Sequence, residues 1–223
     1  MTEEIEVSAV ITTHNRLDLI EGAIESALVQ EGVTVEVIVV DDASTDGTAE
    51  YLWQRQDITA IIIPKDESSG ANHARNLGID AARGQYVAFL DDDDLWMPSK
   101  TRLQLEELQR RPECKVVGCL RQFFNDEDTV LHVIPFSTST LMIERSLLLS
   151  VGCFDEALTR WQEYELEMRL FQQCPVACVD KPLVRYRVSS TDPSRLSLNL
   201  DEWVKSVTII EEKHREMIEA APR

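Results

Sequence analysis

One segment limits the fold of this chain more than any other: VEVIVV at residues 35–40, a run of β-branched residues carrying a single charge. A strand with one wet face alternates apolar and polar residues, so a run of this kind belongs to a strand covered on both faces, as in a parallel sheet. EVSAVI (6–11), ITAIII (58–63) and YVAFL (86–90) read as further short apolar strands. Between them, Leu17, Ile20, Ile24, Ala27 and Leu28 recur at helical spacing up to Gly32. A helix is expected through Tyr51–Gln54, and another over 71–83 ending at Gly84. Strand–helix alternation implies βαβ units, hence an α/β fold with a doubly wound, mostly parallel sheet and flanking helices.

The second half is less regular. Residues 99–111 are expected to be helical, stopped by Pro112. VVGCL (116–120) and TVLHVI (129–134) read as strands around the turn NDED, and PLVRYRV (182–188) as another. Helices are expected over 143–150, 160–173 and 199–219. The last is amphipathic through Leu198, Trp203, Val207, Ile210 and Met217, and is expected to pack on the chain's own core rather than on a membrane or a second subunit. No repeat or linker divides the 223 residues, so a single domain is expected.

Charge narrows the partners. With 22 Lys+Arg against 40 Asp+Glu the net charge is −18, which disfavours nucleic acid and anionic lipid surfaces alike. No apolar run approaches the roughly 18 residues of a membrane span, and MTEEIEVSAV lacks a signal-peptide pattern. A cytoplasmic protein is expected, with at most peripheral contact at the inner face of a membrane and an oligomer left open. The cysteines (Cys114, Cys119, Cys153, Cys174, Cys178) are odd in number and match no zinc module, nor do the four histidines form a metal pattern.

In open α/β sheets ligands bind beyond the carboxyl ends of the strands. Those ends carry Thr12-Thr13-His14-Asn15-Arg16, Asp41-Asp42 and Asp91 to Asp94. Carboxylates about 4 Å apart repel by roughly 1 kcal/mol in water and about 4 kcal/mol near a protein surface, so the cluster calls for solvent or a cation. Asp91 and Asp93 share one face of an extended segment, a spacing suited to Mn2+ or Mg2+. The alternative is a solvated turn, with Asp94 helping to cap the helix after Pro98.

The segments VITTHNR, VIVVDDASTDGT, GANHARNLGIDAARGQYVAFLDDDDLWMP, GCFDEAL and WQEYELEMRL resemble, in that order, the inverting GT-A glycosyltransferases of family 2, over about residues 6–188. The resemblance implies a GT-A fold: residues 1–98 bind a nucleotide-diphosphate sugar, most often a UDP-sugar, residues 99–198 bind the acceptor and carry out catalysis, and 199–223 form a C-terminal helix. It implies Thr12 and His14 beside the nucleoside, Asp42 accepting the uracil N–H, and Asn72 and Arg75, after Gly70, on the donor side. Turn chemistry is the other reading of Thr12 and Asp42. Asp93 is implied as metal ligand with Asp91 sharing the ion, Asp92 near the ribose, and Arg187, Arg195 and Ser197 near the diphosphate.

The base in this family is commonly an aspartate in an ED or QD pair before an aromatic. Here the pair reads Gln162-Glu163-Tyr164, which puts Glu163 there, one methylene longer. Thr159 and Gln162 form a capping-box pattern that would start a helix at about residue 160, with Trp161, Tyr164, Met168 and Phe171 as its apolar stripe. Glu163 then falls in the first turn, where the helix dipole favours negative charge. Without the resemblance, Glu163, Glu165 and Glu167 read as a solvated face with Glu165 paired to Arg169. The implied activity is metal-assisted inverting transfer to a glycan or lipid-linked acceptor. A non-catalytic nucleotide-sugar-binding protein is the alternative; a nucleotidyltransferase would want an early glycine-rich phosphate loop that VITTHNR is not.

Overall fold

The computed structural model describes residues 4–64, 66–68, 70–124, 130–135, 137–187 and 200–220. The first part runs β1 (Val7–Thr13), α1 (Leu17–Leu28), β2 (Val35–Asp42), α2 (Thr48–Trp53), β3 (Thr59–Ile63), α3 (Ala71–Ala81), β4 (Tyr86–Asp91) and the short β5 (Leu95–Trp96). Then come α4 (Lys100–Arg110), β6 (Val116–Phe124), β7 (Val130–Pro135) and a 3-10 turn at Thr138–Thr140. The chain ends with β8 (Met142–Glu144), α5 (Arg145–Ser150), α6 (Gln162–Phe171), β9 (Val176–Arg187), α7 (Leu200–Lys213) and α8 (Arg215–Ala220).

The four apolar runs form a parallel block in the order β3-β2-β1-β4. Alternate residues serve opposite faces. Ala9, Ile11, Val37, Val39, Ala88 and Leu90 pack with α1 and α4, while Val10, Ile38, Val40, Val87 and Phe89 pack with α3, α5 and α6. Each buried Val, Leu or Ile side chain contributes roughly 1.5–3 kcal/mol, so this two-faced block dominates stability. At Gly78, α3 lies so close to β1 that a Cβ would collide with Val10 Cγ1.

Beyond β4 the sheet becomes mixed. β8 pairs antiparallel with β4 and β6, β6 runs parallel to β9, and β5 and β7 pair antiparallel with β9 and β6. The α/β sheet with flanking helices is as expected, with its parallel block in the first half and the mixed strands in the second. No helix among the described residues is long and apolar enough to cross a membrane.

Several expectations for the second half are corrected. Met142–Glu144 is drawn into the sheet as β8, so the helix expected from 143 starts at Arg145. β9 begins at Val176, well before 182, because it follows β6 along its length. The capping box does not form: Thr159 Oγ1 donates to Glu202 Oε2 at 2.6 Å, and α6 starts at Gln162 behind Trp161, whose φ is 58°. The stripe named for α6 is not its buried face. Glu165, Leu166 and Leu170 are buried, whereas Trp161, Tyr164 and Phe171 face solvent. The C-terminal helix divides at His214 and buries Ser206, Ile210 and His214, leaving Trp203 exposed.

Candidate active site

The carboxyl ends of β1, β2 and β4 meet at one rim. Register sets Thr12 opposite Asp91 and Thr13 opposite Asp41. The loops that follow are laced together: Ser44 Oγ accepts the Asn15 N–H at 2.7 Å and donates to Asp41, and Thr45 N–H donates to Asn15 Oδ1 at 2.7 Å. Asp46 accepts the Leu17 N–H at 3.0 Å and so caps α1 from across the rim. His14 bonds Asp42 O through Nδ1 at 2.5 Å and the Asn15 amide through Nε2 at 2.9 Å. With those partners Nδ1 faces a carbonyl acceptor and Nε2 an amide donor. The Asp42 carboxylate, 6% exposed, accepts the Gly70 N–H at 3.0 Å, where Gly70 enters α3 at φ 90°.

In the turn after β4 each acid has its own surroundings. Asp91 Oδ1 takes Arg75 Nη2 at 2.9 Å, and Asp93 Oδ2 takes Arg16 Nη1 at 3.1 Å. Asp94 is no exposed cap. It is 0% exposed, Oδ1 accepts the Arg187 N–H at 3.3 Å, and Oδ2 has no hydrogen-bond partner among the described residues. Burial, with the charges of Asp91 and Asp93 added, holds its carboxyl well above the usual carboxylate range. Burial likewise pushes Asp92 up to about 7, with Asp93 and Asp91 adding to the rise and Arg16 opposing it.

This donor set fits a hard divalent cation: oxygen ligands only, crowded negative charge, and an unpartnered buried oxygen on Asp94. It is not a ready-made cage, since no group of three acid, histidine or cysteine side chains converges on one point among the described residues. One or two carboxylates plus diphosphate and water is the ligation Mg2+-type ions commonly take.

Three braces behind the turn escaped the sequence reading. Ser139 Oγ accepts the Asp91 N–H at 3.1 Å and lies beside the Asp94 carboxyl, and Ser139 O accepts Trp96 Nε1 at 3.0 Å. Lys100, fully buried, places Nζ 4.0 Å from the centre of the Trp96 ring and donates to Gln104 Oε1 at 2.9 Å. Burial pulls that amine down to about 8.

Arg75 connects the turn to the second half. Its guanidinium lies 5.4 Å from the Phe154 ring centre and donates to Asn72 Oδ1 at 3.2 Å. Asn72 spends both amide hydrogens on Asp155 O and Leu158 O, each at 2.8 Å, so it holds the 154–158 loop rather than offering a hydrogen to a ligand. That loop leads into α6. Glu163 sits in the first turn of α6 with Glu167 one turn on, and burial plus the Glu163 charge push Glu167 up to about 7. Glu165 points the other way. It receives Arg169 in bidentate fashion (2.9 and 2.6 Å), Lys213 at 2.9 Å and His214 at 2.9 Å. Burial would raise its carboxyl, but these donors bring it down to about 2. Arg187 ends β9 beside Asp94; Arg195 and Ser197 lie outside the described residues.

The family model described as Glycosyl transferase family 2 matches residues 8–168. The chain belongs to that family. One curated relative, the E. coli UDP-Glc:alpha-D-GlcNAc-diphosphoundecaprenol beta-1,3-glucosyltransferase WfaP, is 34% identical over 56% of this chain and 49% of its own length. Among solved structures, S. aureus TarS 1-349 in complex with UDP-GlcNAc superposes with a TM-score of 0.76 at 18% identity, covering 92% of this chain and 65% of that one. The mannosyltransferase PcManGT from Pyrobaculum calidifontis, in complex with GDP-Man and Mn2+, gives 0.69 at 19% identity over 96% and 65% of the two chains. These likenesses show the GT-A fold. This family 2 chain spans 29%, 65% and 49% of the length of three curated relatives.

Proposed function

We infer that the chain transfers a sugar, with inversion, from a UDP-sugar to a hydroxyl of a glycan or lipid-linked acceptor, assisted by a divalent cation. One observation carries the reading: in a family 2 chain, the strand tips gather Asp42, Asp91–Asp93, Arg16 and Arg75 at a single rim. A carboxylate at the Asp42 position, on the rim beside Gly70, suits the imide N–H of uracil as its hydrogen-bond donor. Thr12 lines the same pocket from β1, and His14 pins the two loops around it. Asp93 and Asp91 would hold the cation, which when bound neutralises charge developing on the leaving diphosphate. Arg75, drawn to Asp91 here, offers a planar guanidinium to the same phosphates, and Arg187, beside Asp94, is a second such group.

Inverting displacement needs one base at the acceptor hydroxyl. Glu163 takes that role, receiving the proton as the oxygen attacks the anomeric carbon and the diphosphate leaves. WfaP, by its name, transfers glucose from UDP-Glc to a diphosphoundecaprenol-linked sugar in a β linkage, a precedent for the donor and acceptor classes proposed here. The test is UDP release from a panel of UDP-sugars with Mn2+, wild type against Glu163→Gln. Donor-dependent release that the variant abolishes supports the reading; equal turnover in both removes Glu163 from its role.

A further inference from the structure

Three aromatic side chains that this chemistry does not use stand in the open around the start of α6. Trp161, Tyr164 and Trp203 are 41%, 50% and 43% exposed. Trp161 meets Tyr164 with ring centres 6.1 Å apart and planes at 74°, and meets Trp203 at 6.0 Å and 71°. Edge-to-face contacts stiffen the rings and leave broad faces uncovered. Trp161 is held there at φ 58°, a left-handed backbone that a bulky residue adopts only under strain. The Thr159–Glu202 hydrogen bond ties the approach to α6 onto α7, which carries Trp203. The cluster is therefore assembled from two distant segments and kept exposed, where an ordinary stripe would be buried.

The rim of the cluster identifies its occupant. Arg160, Gln162, Glu163 and Glu202 adjoin the rings in the chain, an array of carboxylate, amide and guanidinium groups. A lipid surface would press those acids, on a chain of net charge −18, against anionic headgroups. A pyranose satisfies both parts: its C–H face is apolar and flat enough to cover an indole, and its hydroxyls seek carboxylates and amides at the edge. Trp161 and Tyr164 also bracket Glu163. We propose that Trp161, Tyr164 and Trp203 form a stacking platform for a pyranose ring of the acceptor, an inference that rests on the reading of Glu163 as the base.

The test is saturation-transfer NMR on the full chain with UDP and Mn2+ present, using methyl α- and β-hexopyranosides and simple disaccharides as probes. Wild type should saturate the C–H protons of one sugar face, and Trp203→Ala should weaken binding about tenfold, with Trp203→Phe restoring most of it. The rise in melting temperature caused by UDP and Mn2+ should be the same in all three proteins. If Trp203→Ala unfolds, Tyr164→Ala reads the same loss from the other side of Trp161. No saturation in wild type, or equal saturation in the alanine variants, overturns the platform while a retained UDP shift leaves the donor reading standing. Absence of any UDP shift in wild type strikes that reading instead. Trp203-dependent pelleting with phosphatidylglycerol vesicles, or a dimer that Trp203→Ala dissolves, would assign the rings elsewhere and overturn the proposal.

Discussion

The two halves of the molecule hold their functional side chains by different means. In the first half the acids stand at the tips of parallel strands and are fixed by short polar bonds between neighbouring loops, such as Ser44 to Asn15 and Gly70 to Asp42. In the second half, Glu163 rides on a helix oriented from behind by a buried ionic knot, Glu165 with Arg169, Lys213 and His214. The first arrangement suits a fixed anionic ligand. The second leaves an exposed aromatic face beside Glu163, the residue proposed as the base.

The largest expected effect falls on the division of labour itself. Glu163→Gln should cut turnover by about 10²–10⁴-fold, the usual worth of a positioned base, while the UDP-induced melting shift stays at the wild-type value. A variant that loses both would show that α6 also shapes the donor rim, and the contrast between the halves would fail.

Next comes the knot. Glu165→Ala removes one partner from a buried ionic cluster and leaves Arg169, Lys213 and His214 facing each other, which should cost about 3–5 kcal/mol. Thermal melting followed by both far- and near-ultraviolet circular dichroism checks this. The comparison sharpens if turnover falls further than UDP affinity in that variant, since the knot sets α6 and not the aspartate turn.

Ser139→Ala probes the reverse case, a second-half residue serving the first-half site. It orphans the Asp91 N–H and removes the hydroxyl beside the buried Asp94 carboxyl, a loss of about 1–3 kcal/mol. Mn2+ affinity, read by electron paramagnetic resonance in the presence of UDP, should weaken several-fold, and Ser139→Thr should recover part of it. Unchanged Mn2+ affinity at a lowered melting temperature would make Ser139 purely structural.

How much of this was legible in the sequence follows the same line. The parallel block and the acids at its tips could be read because each strand and its tip are contiguous: VIVV runs straight into Asp41-Asp42, and YVAFL into Asp91. The braces could not. Ser139 reaches Asp91 across 48 residues, Thr159 reaches Glu202 across 43, and His214 reaches Glu165 across 49. Periodicity carries no signal for such pairs, and it misled on α6, where an exposed aromatic cluster imitates an apolar stripe. Glu165–Arg169, readable as an ordinary surface pair at i, i+4, is instead a buried clamp because α7 brings Lys213 and His214 against it.

The smallest effect, and the one that separates the knot from general acid sensitivity, is its pH dependence. Glu165 is ordinarily a group of pKa 4.5, and its folded value lies at about 2. A depressed carboxyl stabilises the fold fully above the unfolded value and loses that contribution as pH falls through the folded one. The melting-temperature gap between wild type and Glu165→Gln should therefore be widest above pH 5 and close progressively toward pH 2. Other carboxylates titrate in both proteins and cancel in the difference. A gap that stays constant from neutral pH to pH 2 would mean that packing, and not the charge of Glu165, ties α7 to α6.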